Sequence, residues 1–338
     1  DLWGRLGHAQ SGARARARAG ALDATAMTMT VRAQVVDLWF ALAEAKAIKV
    51  LMDQQIDTAQ TYLSLTEDRF ALGQASTLDI RQQRRELAAL KAELPLLDAQ
   101  REVLAQQLAV LSGRTPSAAQ DAAQPQAALP EVPSVPDVGV PAELLRRRPD
   151  LVALETAVRA ADHDVGVAIA ARFPALRLTA STGYQDREVG NLFGAWVWNL
   201  MGNLTAPLFD GGRRGAEVDR RRAALRESLL RYEKGVLQAM AEVEEALTRL
   251  EHQQRHIAAL EIQLEEARAT LSEARARYSQ GLIAYLPVLS ALRAVQGAER
   301  LRLSAQRTNL SYGVQLARAL GGGWTGAQEP KIQETGAP

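Results

Sequence analysis

Apolar residues recur along this chain at alternating spacings of three and four positions, in two separate regions. The later stripe runs through Ile257, Leu260, Leu264, Ala267, Leu271, Ala274 and Tyr278. The earlier stripe has the same spacing at Met52, Ile56, Ala59, Leu63 and Phe70. This spacing is typical of helices that pack side by side as coiled coils. A leucine-rich stripe at positions 87–111 follows the earlier one, so the pattern predicts long helices paired antiparallel.

The two regions are copies of one another. Shifting the chain against itself by 208 positions aligns "RFALGQASTLDI" at 69–80 with "RYSQGLIAYLPV" at 277–288, without a gap. Glycines and apolar positions both keep this register, which indicates an internal duplication. Gly73 therefore aligns with Gly281. Because glycine readily adopts the left-handed geometry that ends a helix, each glycine is predicted to mark a hairpin tip.

Between the copies the pattern changes from helical spacing to alternation. In "FPALRLTASTGYQ" at 173–185, every second residue is apolar or small, and a second alternating stretch begins at residue 196. Alternation predicts two-faced strands. The predicted lipid-facing residues are Leu176, Leu178, Tyr184, Trp196, Trp198 and Leu204. Periodicity alone leaves two interpretations open: a membrane β-hairpin that needs oligomerisation to close its edges, or a soluble hairpin with one face on a helical core.

These patterns together predict a mainly α-helical chain with one β-hairpin and an internal two-fold repeat. The predicted organisation has six segments: a first helical hairpin repeat at 1–114, a proline-rich linker at 115–141, a helical segment at 142–171, a β-hairpin at 172–209, a second helical hairpin repeat at 210–320 and a C-terminal tail at 321–338.

Composition narrows the possible functions. Forty basic residues against 39 acidic ones leave a net charge of +1, so there is no global field to attract nucleic acid. Cysteine is absent, which removes disulfides and thiolate sites. His252 and His256 share a helix face but have no third ligand nearby in the sequence, and His8 and His163 are isolated. We therefore expect no catalytic residues, no metal site and no cofactor.

Several phrases resemble the TolC-like outer membrane efflux proteins, specifically the OprM/CusC-type (NodT) branch. The phrases are "ELLRRRPDLVALE" at 143–155, "FPALRLTASTGY" at 173–184, "PLFDGGRR" at 207–214 and "ARALGGGW" at 317–324. The resemblance implies a homotrimer in the outer membrane of a Gram-negative bacterium. In that family the three protomers share one transmembrane β-barrel, surrounded by outer-membrane lipid, and a barrel of coiled-coil hairpins continues it across the periplasm.

The same resemblance implies a passive exit duct for drugs or other small toxic solutes. Its partners would be a periplasmic membrane-fusion adaptor and an inner-membrane pump of the resistance-nodulation-division (RND) class, with no nucleic acid and no catalysis. The expected adaptor-docking residues at the tips are Gly73, Ser76, Leu78, Asp79, Gly281, Tyr285 and Leu286. The expected periplasmic gate is Arg277, Tyr278 and Ser290, with serine where the family commonly has aspartate. An equatorial motif is expected at Arg147, Arg148, Pro149 and Asp150.

Two further expectations follow from the resemblance. By the 208-residue offset, "DLWGR" at 1–5 corresponds to the end of a first strand pair, so the chain is expected to be an N-terminal truncation that lacks this pair, a signal sequence and the acylated cysteine usual in the branch. The alternative from another class is a soluble periplasmic coiled-coil adaptor or scaffold, which also uses long helical hairpins. An enzyme with a helical insert is a more distant alternative.

Overall fold

The computed structural model describes residues 1–120, 125–130, 147–184 and 196–322. Four long helices account for most of them: α1 Arg5–Ala71, α2 Thr77–Leu111, α4 Arg213–Ser279 and α5 Tyr285–Ala319. A shorter helix, α3 Pro149–Ala170, and the antiparallel strands β1 Ala175–Tyr184 and β2 Trp196–Thr205 lie between the two pairs in the sequence. The fold is therefore mainly α-helical with one strand pair, as the sequence predicted.

The internal repeat is visible in the helix boundaries. Helices α1 and α4 are each 67 residues long and α2 and α5 are each 35, and every start and end in the first pair recurs 208 positions later. The backbone that ends them recurs as well. Gly73, Gly113, Gly281 and Gly321 all have positive φ, between 70° and 92°. The duplication predicted from the sequence is confirmed at the level of single turns.

Both hairpin tips end their first helix in the same way. The N–H of Gly73 donates to the carbonyl of Phe70 (2.9 Å), and the next N–H donates to the carbonyl of Arg69 (2.8 Å). At the second tip the N–H of Gly281 donates to Tyr278 (3.0 Å), and the next donates to Arg277 (2.9 Å). This bond pair is the Schellman motif, which requires a left-handed residue and so explains the two tip glycines.

The described residues fall into two compact units. The strand unit contains residues 1–27, 147–184 and 196–240, and the tip unit contains 28–120, 125–130 and 241–322. Within the tip unit, each hairpin has its own apolar interior. Met52, Ile56, Ala59 and Leu90 pack between α1 and α2. Between α4 and α5, the interior is larger and is centred on Leu264, Leu271, Val288, Leu289 and Leu292.

Within the strand unit, β1 and β2 pair over their full length, with Ala175 opposite Thr205 and Tyr184 opposite Trp196. Every residue of β1 is exposed, as is every residue of β2 except Val197. A hairpin resting on a helical core would bury one face, so the structure does not support that interpretation. The connection between the strands, 185–195, lies outside the described residues.

The remaining predicted segments are described only in part. A 3₁₀ turn, Pro116–Gln120, lies at the start of the proline-rich linker. Positions 121–124 and 131–146, and the tail from 323 onward, lie outside the described residues, so the linker and tail boundaries stay predictions. Across the parts of the chain that are described, no helix combines the length and apolar character needed to cross a bilayer.

Replacing Gly281 with alanine tests the helix-ending geometry of the second tip. Nothing lies within 4 Å of a Cβ at this position, so the cost comes from the backbone φ of +75°. We expect Gly281→Ala to lower the free energy of unfolding by about 1 kcal/mol. The control is Gly297→Ala inside α5, where a Cβ also meets nothing and φ is not positive. There alanine should raise stability by about 0.5–1 kcal/mol. Denaturant unfolding followed by circular dichroism measures both, and equal effects would contradict this interpretation.

Candidate functional site: hairpin tips and the inter-hairpin seam

The first tip presents a well-capped helix start. The Ser76 side chain accepts from the Asp79 N–H (3.2 Å), and the Asp79 carboxylate accepts from the Ser76 N–H (2.9 Å). This reciprocal capping box satisfies two N–H groups that a helix start would otherwise leave unpaired. In the second copy Ala284 stands at the cap and makes no side-chain bond. The predicted docking residues Ser76 and Asp79 therefore also stabilise the start of α2.

Leucines at both tips are exposed. Leu78 is 64% exposed and Leu286 is 51% exposed, at equivalent positions in the two copies. Leu72 and Leu282, beside the tip glycines, are more exposed still. Isolated exposed leucines are common on protein surfaces, and these four place exposed apolar side chains at both hairpin tips.

Tyr285 differs from the other predicted docking residues, because its side chain is only 2% exposed. Its hydroxyl donates to Gln83 Oε1 on α2, and its ring lies 5.5 Å from the ring of Tyr278 and 6.4 Å from that of Tyr62. Burial raises the pKa of the Tyr285 phenol, which keeps the hydroxyl a neutral donor. The assignment of Tyr285 to the docking surface is therefore corrected: its bulky ring fills the space between the hairpins.

The contacts of α5 with α1 and α2, which we term the inter-hairpin seam, include aromatic packing of Tyr62 against Tyr285 near the tips and a series of polar contacts farther along the helices. Arg293 binds Glu86 with Nε at 2.8 Å, and Arg300 binds Glu93 at 2.8 Å. Arg307 lies 3.2 Å from Asp37. Further seam contacts are Tyr285–Gln83, Ser304–Glu44, Arg307–Glu44 and Ser311–Asp37. The seam thus combines one aromatic contact with a regular series of ion pairs and hydrogen bonds.

The seam ladder repeats every seven residues. Arg293, Arg300 and Arg307 follow this period on α5, and Glu86 and Glu93 follow it on α2. A seven-residue period keeps successive side chains on one face of a coiled-coil helix. The period is readable in the sequence and the sequence analysis did not use it. The pairing of partners depends on how the two hairpins align.

One ion pair of the ladder joins a buried carboxylate, Glu86, to an arginine, Arg293, whose side chain is 42% exposed. The Glu86 side chain is 8% exposed, and the hydrogen bond to Glu86 raises the pKa of Arg293. Removing Arg293 would leave the buried Glu86 carboxylate uncompensated, so we expect this pair to restrict which alignments the hairpins adopt.

The predicted gate residues do not form one cluster in the described chain. Arg277 donates to Glu273 of its own helix (2.6 Å), and Ser290 is exposed. Tyr278 is half-buried, and the guanidinium of Arg69 lies 4.4 Å from its ring centroid, in cation–π contact. Partial burial raises the pKa of the Tyr278 phenol. Arg69, which the sequence analysis did not select, therefore joins Tyr278 across the two tips.

The equatorial motif forms the start of α3. Pro149 occupies the first helical turn, and Arg148 contacts Asp150 through two bonds, Nη2–Oδ2 at 2.7 Å and Nε–Oδ1 at 3.1 Å. Burial by itself would raise the pKa of Asp150, but the hydrogen bonds and charge of Arg148 outweigh it, and this pKa lies below its ordinary value. Arg147 is exposed, and Arg146 lies outside the described residues.

The predicted lipid-facing residues share one face of the strand pair. Leu176 lies opposite Leu204, Tyr184 opposite Trp196, and Trp198 opposite Thr182. Leu178 lies on the same face, and the predicted residues are all exposed. An apolar face with aromatic residues at one end is what a strand pair in contact with lipid requires.

These features define a class of protein: a chain of duplicated coiled-coil hairpins with an exposed, apolar-faced strand pair, as in an outer-membrane channel. The family model described as outer membrane efflux protein matches residues 1–114 and 140–322. The chain therefore belongs to the outer membrane efflux protein family.

Individual relatives agree. The pyoverdine export outer membrane protein OpmQ of Pseudomonas aeruginosa is 33% identical over 326 residues, covering 96% of this chain and 68% of OpmQ. A crystal structure of a membrane protein from Pseudomonas aeruginosa superposes with a TM-score of 0.90 at 30% identity, covering 96% of this chain and 73% of that one. The outer-membrane channel OprN gives 0.87 at 29% identity, with coverages of 95% and 72%.

These similarities support an outer-membrane efflux channel protein over a soluble adaptor, and they place the protein in the outer membrane. The relatives are named as export and channel proteins, not as enzymes.

The Arg148–Asp150 pair predicts a pH-dependent contribution to stability. Asp150→Asn should lower the free energy of unfolding at pH 7 by about 1 kcal/mol or less, because the carboxylate is partly exposed and solvent screens the pair. Because the pKa of Asp150 in the folded chain is lower than its ordinary value of 3.8, the ionised carboxylate stabilises the folded chain at pH values above 3.8. The difference from the unmodified chain should therefore vanish as the pH falls through the folded-state pKa.

Asp219→Asn is the control for this prediction, since Asp219 is an exposed residue whose nearest cation, on Arg222, lies 3.7 Å away. Unfolding curves between pH 7 and pH 2.5 measure both variants. A difference for Asp150→Asn that is the same at every pH would contradict the ion-pair explanation.

Proposed function

We propose that three copies of this chain form a passive efflux duct, and that the duct opens when the α4–α5 hairpin shifts against α1–α2 along the inter-hairpin seam. The observation that carries this proposal is the series of ion pairs that crosses the seam at Arg293, Arg300 and Arg307. Opening an apolar interior costs free energy, because it exposes apolar surface to water. Polar contacts at the surface of a lumen can instead exchange their protein partners for water.

The seven-residue ladder supports two alternative packings. Arginines that recur every seven residues meet carboxylates with the same period, so a shift along the helices exchanges partners and need not leave charges unpaired. Two buried glutamine side chains also support a second packing. Gln55 and Gln296 are each 4% exposed, and within the described chain their side chains retain polar atoms without a hydrogen-bond partner. A second packing in which these amide atoms form hydrogen bonds would offset the free energy needed to break the contacts of the first packing.

Trimer formation is supported by the strand pair. A two-stranded sheet with both faces exposed is marginally stable alone, and its edges offer unpaired N–H and C=O groups. Strands from neighbouring copies would satisfy those edges in lipid, where an unpaired backbone group is costly.

The hairpin tips are the proposed docking surface for a periplasmic adaptor, which in turn engages an inner-membrane pump of the RND class. The exposed leucines Leu72, Leu78, Leu282 and Leu286 support this role, because they present an apolar surface at both tips. Gly73 and Gly281 shape the turns, Ser76 and Asp79 cap α2, and Arg277, Tyr278 and Ser290 remain the proposed gate together with Arg69.

A crosslink across the seam tests the opening movement directly. The chain contains no cysteine, so introduced thiols react without a background. The cysteines of Glu86→Cys and Arg293→Cys can be joined by a short bifunctional methanethiosulfonate crosslinker, which attaches to each thiol through a reducible disulfide. The crosslink should abolish most of the single-channel conductance of the assembled protein in planar bilayers. Reduction of the crosslink should restore the conductance.

The matched control joins an Arg–Glu pair that lies within one hairpin. Glu67 and Arg84 are 2.8 Å apart on α1 and α2, so a crosslink between cysteines at these positions should leave conductance unchanged. The uncrosslinked double variants correct for the loss of each ion pair. Full conductance with the seam crosslinked would rule out the seam as the plane of opening.

Substitutions at the tip leucines test docking separately from opening. Leu78→Asp with Leu286→Asp places charge on the apolar surface, and we expect drug resistance to fall at least about tenfold in a host that relies on this channel, since burying an unpaired carboxylate is costly. Lys91→Asp, at an exposed position of α2 away from the tip, should leave resistance unchanged. Outer-membrane levels and bilayer conductance should match the unmodified channel in both. Normal resistance in the tip variant would refute docking at these leucines.

A further inference from the structure

Two histidines that are far apart in the sequence meet in the strand unit. His8 on α1 and His163 on α3 are 155 positions apart, yet their Nδ1 atoms are separated by 3.3 Å. Their ring centroids lie 5.6 Å apart, with an angle of 49° between the ring planes. The sequence analysis treated both as isolated, so the structure corrects that interpretation.

We propose that His8 and His163 form a binding site for a divalent transition-metal ion such as Zn²⁺ or Ni²⁺. Two imidazole nitrogens, each ~2.0–2.1 Å from a tetrahedral metal ion, lie about 3.3–3.4 Å from one another. The observed Nδ1–Nδ1 distance has this value. Because the ring centroids are 5.6 Å apart, the two nitrogens point almost directly at each other, so each ring turns slightly to direct its nitrogen at a shared ion. An ion bound here replaces the hydrogen bond between the rings and links α1 to α3.

Two glycines allow the histidine rings to approach this closely. A Cβ on Gly166 would lie 2.7 Å from Nδ1 of His8, so the His8 ring lies directly against the backbone of α3. On the facing helix, a Cβ on Gly12 would lie 3.3 Å from Cβ of His163. Larger residues at either position would separate the helices or displace a ring. The small residues therefore bring the two nitrogens within chelating distance.

The surroundings of the pair are accessible to an ion. His8 is exposed and His163 is half-buried, so water can complete the coordination. Each neighbouring cation has a carboxylate partner: Arg16 (3.1 Å) and Arg221 (3.3 Å) both contact Asp164, and Arg221 also donates to Glu217 (2.8 Å). No group of three or more potential ligands occurs within the described ranges, so the protein contributes a two-histidine clip and not a closed metal cage.

His252 and His256 provide the comparison within the same chain. They lie four residues apart on α4, where any shared ion would be held by a single helix. An ion held between His8 and His163 instead joins two helices that are distant in sequence. A ligand that binds only the folded state raises the stability of that state. An ion between His8 and His163 should therefore stabilise the strand unit, whereas an ion at His252 and His256 would bind in the tip unit.

The test uses the full chain purified without a histidine tag, in a His252→Gln/His256→Gln background. Titration calorimetry with ZnCl₂ should detect one ion per chain, and Zn²⁺ should raise the thermal unfolding midpoint. Adding His8→Gln or His163→Gln should weaken binding at least about tenfold and abolish the shift in midpoint. Binding that is absent from the background, or unchanged by both substitutions, would overturn the proposal.

A second variant separates ligand loss from ligand position. Gly166→Ala keeps both histidines but displaces the His8 ring, so it should also weaken Zn²⁺ binding at least about tenfold. Gly20→Ala is its control, because a Cβ at that position on α1 meets nothing within 4 Å. Both variants should retain the helical circular dichroism of the background. Equal Zn²⁺ affinity in the two alanine variants would show that the ion does not lie between His8 and His163.

Discussion

The tip unit depends on the burial of one apolar stripe between the two helices of each hairpin. Leu264, Leu271, Leu289 and Leu292 contribute to this burial in the second copy, and Met52, Ile56 and Leu90 do so in the first. Long helices need such packing, since most helical stability in proteins comes from an apolar face in contact with a partner. Each hairpin is therefore held together largely by its own apolar interior.

That independence leaves the inter-hairpin seam available for function. A seam built from apolar residues would fuse the two hairpins into one core, because apolar burial has no directional preference and is costly to reverse. Arg293, Arg300 and Arg307 instead meet carboxylates at defined positions, which sets the alignment of the hairpins while leaving it reversible. Tyr285 adds one directional contact near the tips, through its hydrogen bond to Gln83.

Neutral overall charge and strong local pairing belong together in this molecule. The chain carries many arginines and acidic residues, but a large share of them pair within one helix, as Arg277 does with Glu273, or across the seam. Exposed pairs of the first kind contribute little to stability and mainly keep the helix surfaces soluble. The cross-helix pairs carry structural information, because they restrict the hairpins to alignments that bring each arginine to a carboxylate.

The sequence by itself determined the helix lengths, the duplication and the turn positions, because these follow from local periodicity and from glycine conformation. It also predicted the alternation of the two strands, since alternation is a property of neighbouring residues. Only the tertiary structure decided that Tyr285 is buried, that Arg69 joins Tyr278, and that His8 meets His163. Those contacts join residues on different helices, and helix alignment depends on the packing of whole faces, which no short stretch of sequence specifies.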